Sequence, residues 1–336
     1  MSDKYKPFFS IVLLNFNGYQ WIPPCISSIL AQTFTSFEII LVDNGSDISD
    51  SSIHDAINLC KSINCATFTR NMGFAGANNF GSLFAQGTWI IFLSNDTKLD
   101  TDFLHNVHET IQSIPGSHVI VPTVTNYQNT DLGEYYFTLD ILGYPTSRHG
   151  YTPFWGHGCA FTVRRDVFTS LGGFDSDYEF FFEETDFCWR AQITGHNIVG
   201  SPRARVQHFG GGTLGDGSVT NGRIVTSPRR RYLGERNRLS NLLKNYGTPA
   251  LSIILVLYAF LVCCAMVALA FSRRWALLQA YVQALIWHRD HLHRTLRKRR
   301  FVQSLRSRSD FYVLKRMRFT VSELELFMRF GLPSSR

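Results

Sequence analysis

The sequence predicts an α/β protein with a mostly parallel sheet and a helical C-terminal extension. Short apolar runs of strand length alternate with helical patterns over the first hundred residues, each run ends on a polar turn, and one long uncharged apolar stretch lies late in the chain. Phe8–Leu14 (FFSIVLL) reads as a buried strand that stops at the turn-forming Asn15-Phe16-Asn17-Gly18. Ile22–Leu30 follows as a helix, with Pro23 and Pro24 in the first turn where a missing N–H is tolerated. Phe37–Val42 is the second strand and ends in Asp43-Asn44-Gly45-Ser46-Asp47, a dense turn signal. A third β element around Ala66–Phe68 leads through Arg70 and Asn71 into a helix ending near Gly87. Trp89–Leu93 is the fourth strand, followed by Ser94-Asn95-Asp96-Thr97. Ligands of such sheets bind beyond the carboxyl ends of the strands, which is where the polar clusters at Asn15, Asp43 and Asp96 fall.

From about Pro122 the pattern turns to short strands and loops, suggesting a more antiparallel region. Gly158–Val163 and Phe168–Phe174 lead to Phe180–Arg190, where Thr185–Gly195 has helical character and Glu183, Glu184 and Asp186 crowd its start. Acidic groups there also suit the positive end of the helix dipole, so a structural explanation is available. Gly210–Ser227, with six glycines, reads as a mobile loop. Ala250–Phe271 is an uncharged run of 22 residues, and about 20 are enough to cross a bilayer as a helix. Trp275–Trp287 is too short to span and reads as interfacial, and Arg294–Arg300 continues a cationic tail. The expected division is a catalytic domain at 1–245 and an apolar and basic helical region at 246–336.

Charge separates the halves. Residues 1–228 hold 12 Lys/Arg and 21 Asp/Glu, a balance of −9, whereas 229–336 hold 21 and 5, a balance of +16. A nucleic-acid partner is excluded on this pattern, because the strand-rich half is acidic; anionic lipids or phosphorylated lipid-linked substrates suit the basic half. The seven cysteines have no zinc-ribbon spacing and read as reduced core thiols. The opening MSDKYKPFF has no apolar stretch of signal-peptide length, so the first two hundred residues are expected in the cytoplasm. No G-x-G-x-x-G follows the first strand and no G-x-x-x-x-G-K-[ST] occurs, which disfavours an NAD-linked oxidoreductase and an NTPase. Asp96, after an apolar strand, is placed to hold a divalent cation with a diphosphate, and His208 before the glycine-rich loop is a candidate further ligand.

Phe9–Asp47, Asn71–Asn79, Leu93–Thr97, Gly172–Asp175, Phe182–Arg190 and Ala204–Gly212, in that order, resemble family 2 glycosyltransferases with a GT-A fold, a Rossmann-like mixed sheet flanked by helices. The rhamnosyltransferase-like subgroup of bacterial polysaccharide biosynthesis is the nearest, and the match spans roughly residues 8–245. The resemblance implies that Asn15, Phe16 and Asn17 line the nucleoside pocket, that Asp43 contacts a uracil or thymine base, and that Arg70 and Asn71 border the donor. Asn95 and Asp96 occupy the D-x-D position, with Asp96 and His208 holding Mn²⁺ or Mg²⁺. Glu183-Glu184 stands at the family's acidic pair, which assigns Glu184 as general base and Glu183 as the next candidate. The implied reaction is inverting transfer from a UDP- or dTDP-sugar, dTDP-rhamnose among the candidates, to a hydroxyl of a growing, lipid-linked surface glycan. A catalytically silent nucleotide-sugar-binding or scaffold subunit is the alternative.

Arg229, Arg230, Arg231 and Arg236 are candidate contacts for a lipid-linked pyrophosphate acceptor, with a basic flank to the apolar segment as the competing explanation. A single crossing at Ala250–Phe271 would leave residues 273–336, net +11, outside the cell. That opposes the positive-inside tendency. The expected placement is therefore peripheral or monotopic, on the cytoplasmic face of the membrane, with the basic tail on that surface.

Overall fold

The computed structural model describes residues 6–47, 63–126, 135–149, 152–209, 219–220 and 223–335. The chain divides into two compact units: Met1–Tyr136 with His149–Ala191 and His196–Phe209, and Phe137–Arg148 with Gln192–Gly195 and Gly210–Arg336. The helix at 228–245, assigned with the first domain from sequence, groups with the second unit.

The first unit is built on an eight-stranded mixed sheet. Its elements run β1 (Phe9–Asn15), α1 (Ile22–Leu30), β2 (Phe37–Asp43), β3 (Ile63–Thr67), α2 (Gly73–Ser82), β4 (Trp89–Ser94), β5 (Thr97–Leu99), α3 (Phe103–Ser113) and β6 (Ser117–Asn126). The hairpin β7 (Tyr135–Leu139) and β8 (Pro145–His149), which falls mostly in the second unit, intervenes before β9 (Ala160–Arg164), α4 (Arg165–Ser170), α5 (Glu183–Ile193) and β10 (Asn197–His208). The strand order is β3-β2-β1-β4-β9-β6-β10-β5. β1 pairs in parallel with β2 and β4, as the βαβ pattern predicts. Beyond β4 the sheet becomes mixed, because β9 runs antiparallel to both β4 and β6 while β6 and β10 are parallel. Every β1 residue is buried, which explains why its sequence is apolar on both faces.

The second unit is mainly helical: α6 (Pro228–Asn245), α7 (Thr248–Phe271), α8 (Trp275–Ser304), α9 (Asp310–Leu314) and α10 (Ser322–Phe330), with short strands β11 (Val219–Thr220), β12 (Arg223–Thr226) and β13 (Ser334–Ser335). Ser227 caps α6, its Oγ accepting from the Arg230 N–H at 3.1 Å, and Pro228 opens the first turn. The stretch Trp275–Trp287 is the first part of a longer helix: α8 runs for 30 residues through the cationic run. Nothing in that run breaks a helix, since it lacks Gly and Pro. Most of the expected mobile loop, 210–218 and 221–222, lies outside the described residues, as does Cys60.

Cys25, Cys159 and Cys188 are buried thiols as expected, but Cys65, Cys263 and Cys264 are exposed. Cys65 sits on the edge strand β3, and the other two are on the outward face of α7.

Candidate active site

Register brings the first two polar clusters together. Asn15 and Asp43 are partners at the ends of β1 and β2. The Asn15 Nδ2–H donates to Asp43 Oδ1 at 2.8 Å, and the Ser46 hydroxyl donates to the same oxygen at 2.6 Å. Asn95, from the end of β4, donates through Nδ2 to Asn15 Oδ1 at 2.5 Å and to the Gly18 carbonyl at 3.2 Å. A Cβ on Gly18 would lie 2.1 Å from that Asn95 nitrogen, so only glycine admits the side chain. Asn17 adopts φ 49° and accepts through Oδ1 from the Asp47 N–H at 3.0 Å. Phe16 between them is half-buried.

The Arg70–Asn71 loop docks on the same end of the sheet. Asn71 Oδ1 accepts from Asn44 Nδ2 at 3.0 Å and from the Gly73 N–H at 2.7 Å, while Arg70 is exposed. Gly45 has φ +76°, and a Cβ there would fall 2.4 Å from the Arg70 carbonyl carbon. Glycine therefore supplies both the left-handed turn and the close approach.

Asp96 and His208, 112 positions apart in the chain, are joined by a pairing the sequence did not announce. β5 lies antiparallel to β10 with Thr97 opposite His208. The Phe209 N–H donates to the Asp96 carbonyl at 3.0 Å. His208 Nε2 then sits 3.3 Å from Asp96 Oδ2. Neighbouring ligands of an octahedral cation bound at about 2.1 Å lie ~3 Å apart, so this nitrogen and oxygen fit one Mn²⁺- or Mg²⁺-sized ion. Their mixed N/O character suits Mn²⁺ somewhat better.

Sequence reasoning missed His157 and Cys159. The antiparallel direction of β9 places its entry beside the exit of β4, with Leu93 opposite Ala160, so the turn before β9 borders Asp96. Ligand-type atoms of His157, Cys159 and His208 lie within 4.8 Å of one another. Burial, then the neighbouring His208, lowers the His157 pKa to about 3, so its ring is neutral. Its Nδ1 accepts from the Cys159 N–H at 3.1 Å, which puts the ring proton on Nε2. His157 in this tautomer is a donor to the site, and the Cys159 thiol is pushed well above its ordinary pKa by burial and the nearby Asp96. The only sequence signal was His-Gly-Cys immediately before a strand.

Glu183 and Glu184 open α5, two residues earlier than the sequence pattern suggested. Phe181 and Phe182 precede them at φ 70° and 71°, a left-handed conformation that costs of order 1–3 kcal/mol for each non-glycine residue. Glu183 is 3% exposed, and one carboxylate oxygen of each glutamate is buried without a hydrogen-bond partner. Burial, reinforced by Glu184, drives the Glu183 pKa well above its usual value. Burial raises Glu184 to about 7, against an opposing pull from the N–H groups of Glu184 and Gly158. Asp186 takes the structural role instead: it pairs with Arg190 at 2.8 Å, and Arg190 also donates to the carbonyls of Leu171 and Gly173.

The candidate arginines of the second unit differ in their surroundings. Arg231 pairs with Glu235 at 3.1 Å and with Glu323 at 2.8 Å. Arg236 is 2% exposed, donates to Asn237 Oδ1 at 2.9 Å and lies over the Trp287 ring. These two guanidinium groups are engaged inside the unit, because α6 packs its charged face against α8 and α10. Arg229 is exposed and Arg230 half-buried.

Comparison with known proteins bears on the fold and the family likeness. Residues 10–172 match the model of the family described as Glycosyl transferase family 2. The Glycosyltransferase GlyG of Streptococcus pneumoniae is 29% identical over 129 residues, covering 38% of this chain and 42% of that protein. The chain spans about half the length of the curated relatives it matches, 42% of one and 59% of another. Among solved structures, GalNAc-T7 with UDP, GalNAc and Mn²⁺ has TM-score 0.58 at 16% identity, over 74% of this chain and 49% of that one. The mannosyltransferase PcManGT of Pyrobaculum calidifontis, in complex with GDP-Man and Mn²⁺, has TM-score 0.52 at 16% identity, over 85% and 76%. Residues 10–172 thus resemble the Glycosyl transferase family 2, and the mixed sheet flanked by helices is the GT-A fold of those solved structures.

Proposed function

We propose that the chain is a metal-dependent, inverting glycosyltransferase that moves a sugar from a UDP- or dTDP-sugar, dTDP-rhamnose among the candidates, to a hydroxyl of a lipid-linked surface glycan. The observation that carries this reading is the meeting of Asp96 and His208 at 3.3 Å, at the same sheet end as the Asn15–Asp43 pair. Buried Glu183 and half-buried Glu184, which open α5, add a titratable pair at the loop before β9. Holding two carboxylates away from water lowers stability, a cost that a catalytic task explains and a silent scaffold does not.

In the proposed reaction Asp43, with Asn15, Phe16 and Asn17, holds the nucleoside, and Arg70, Asn71 and Asn95 border the donor. A Mn²⁺ or Mg²⁺ held by Asp96 and His208 would offset charge on the departing diphosphate. Glu184 accepts the proton of the acceptor hydroxyl, with Glu183 the next candidate base. The acceptor oxygen bonds to the anomeric carbon as the bond to the diphosphate oxygen breaks, which inverts that centre. A pKa near 7 leaves Glu184 able to take a proton at neutral pH. Arg229 and Arg230 remain the arginines for contact with an acceptor phosphate. The proposed location is the cytoplasmic face of a membrane, peripheral or monotopic through residues 246–336.

The test is transfer to a membrane-extract acceptor. Glu184→Gln is expected to lower kcat by about 10²–10⁴-fold while donor binding persists, and Asp96→Ala to abolish metal-dependent donor binding. Full transfer by Glu184→Gln would reject the base, and unchanged metal-dependent binding by Asp96→Ala would reject the metal role.

A further inference from the structure

The apolar helix α7 has two faces. Ile254, Tyr258, Val262 and Leu269 are buried within the second unit. Ile253, Val256, Phe260, Val267 and Phe271 are 73, 73, 63, 54 and 87% exposed. At 100° per residue the two sets lie on opposite sides of the helix, and the exposed stripe runs about 27 Å. Only 22% of the most apolar window is buried, so α7 is not an ordinary core helix. A continuous apolar stripe of this length on a described surface marks an interaction site.

The inner face decides how such a helix can meet a membrane. Tyr258, near the middle of α7, donates through its hydroxyl to Glu235 Oε2 at 3.3 Å, and Arg238 lies over its ring at 5.1 Å. Arg238 in turn pairs with Glu235 at 2.6 Å and with Glu323 at 2.7 Å. If α7 crossed a bilayer, this ionic cluster would lie at the depth of the hydrocarbon centre, where ionisable groups are costly. If α7 lies in the plane of the surface, the cluster stays on the protein side and only the apolar stripe enters lipid.

Charge identifies the lipid. Arg273, exposed, lies two residues beyond Phe271, and residues 273–336 carry a net +11. Exposed Arg294, Arg297 and Arg300 lie on α8, the helix that packs against α7. Cations beside an apolar stripe suit anionic headgroups above acyl chains.

We infer that α7 is an in-plane anchor whose Ile253–Phe271 stripe enters the outer part of one leaflet of an anionic bilayer without crossing it. The inference rests on the membrane association proposed above and adds its face, its depth and its lipid charge. It is tested with the full chain and vesicles of phosphatidylcholine alone or with phosphatidylglycerol. Flotation is expected with the anionic vesicles and to weaken in high salt. Val256→Glu combined with Phe260→Glu is expected to lower vesicle affinity by about tenfold or more, with an unchanged thermal melt. Loss of flotation without loss of melting separates docking from folding, and neither readout uses sugar transfer. Depth is read in a background with Cys60, Cys65, Cys263 and Cys264 changed to alanine, by placing a fluorophore at Ile253→Cys, Phe260→Cys or Phe271→Cys and quenching with lipids brominated near or far from the headgroup. Equal, shallow quenching at all three sites is expected. A deep signal at 260 between shallow ends would show a crossing helix and overturn the inference, as would equal binding to neutral vesicles or full binding by the double variant. A protein that floats in this way yet transfers no sugar would refute only the enzymatic reading.

Discussion

Glu183 and Glu184 cannot both ionise in a buried site without mutual repulsion, so the pair holds a proton at pH values where free glutamates have lost theirs. For Glu184 the folded pKa, about 7, lies above the ordinary 4.5. Its contribution to stability is therefore complete below the unfolded value and is lost as pH rises through about 7. Glu184→Gln removes that dependence. Its melting temperature should gain on that of the unsubstituted protein as pH rises from about 4.5 to 7.5, as calorimetry at several pH values would show; parallel curves would place the Glu184 pKa near its ordinary value. His157 makes a second prediction. On the proposed metal role of Asp96 and His208, His157 as a neutral donor beside them would act through their orientation, and such partners are typically worth about 10–100-fold in metal affinity. Titration calorimetry with Mn²⁺ alone is expected to show that loss for His157→Phe, and an unchanged Kd would remove His157 from the site.

At the scale of elements, two kinds of placement differ in how far they could be foreseen. The ends of β1, β2 and β4 follow from apolar runs punctuated by polar turns, and Asn15, Asp43 and Asp96 were legible for that reason. The approach of His208 was not, because it depends on β5, a three-residue strand too short to have a pattern. His157 was hidden similarly, since only the antiparallel sense of β9 turns the loop before it toward Asp96. In the second unit, Arg231 and Arg238 join Glu235 and Glu323 across α6 and α10. Burial alone would raise Glu323, but Arg238 and Arg231 hold it down at about 2. Its folded pKa is thus below the ordinary 4.5, so its stabilisation is present above that pH and is lost as pH falls toward 2. Thermal melts between pH 2 and 6 are expected to show a steeper acid loss for the unsubstituted chain than for Glu323→Gln; equal slopes would remove Glu323 from the acid transition.

For the whole molecule, the charge asymmetry seen in the sequence acquires two different explanations. Much of the positive charge after residue 229 faces outward on α8, yet Arg231, Arg236 and Arg238 balance or shield one another's partners inside the second unit. Sequence alone could not separate these groups, because a buried and an exposed arginine read alike in composition. A donor that binds only the folded protein raises its apparent stability, by about 2.7 kcal/mol at a hundredfold excess over Kd. A UDP- or dTDP-sugar with Mn²⁺ should therefore raise the melting temperature, GDP-sugars should do so less, and a chelator should reverse the effect. Equal shifts with all three nucleotides would remove base selection by Asp43.

What the sequence determined by itself was the local chemistry: which runs become strands, which turns carry polar groups, and that one late helix is apolar enough to meet lipid. These follow from periodicity and composition, which act over a few residues. Which of those groups meet was decided only by tertiary structure. Strand sense and register are set by long-range pairing and burial, and they bring Asp96 to His208, turn His157 toward both, and draw Arg231 and Arg236 inward.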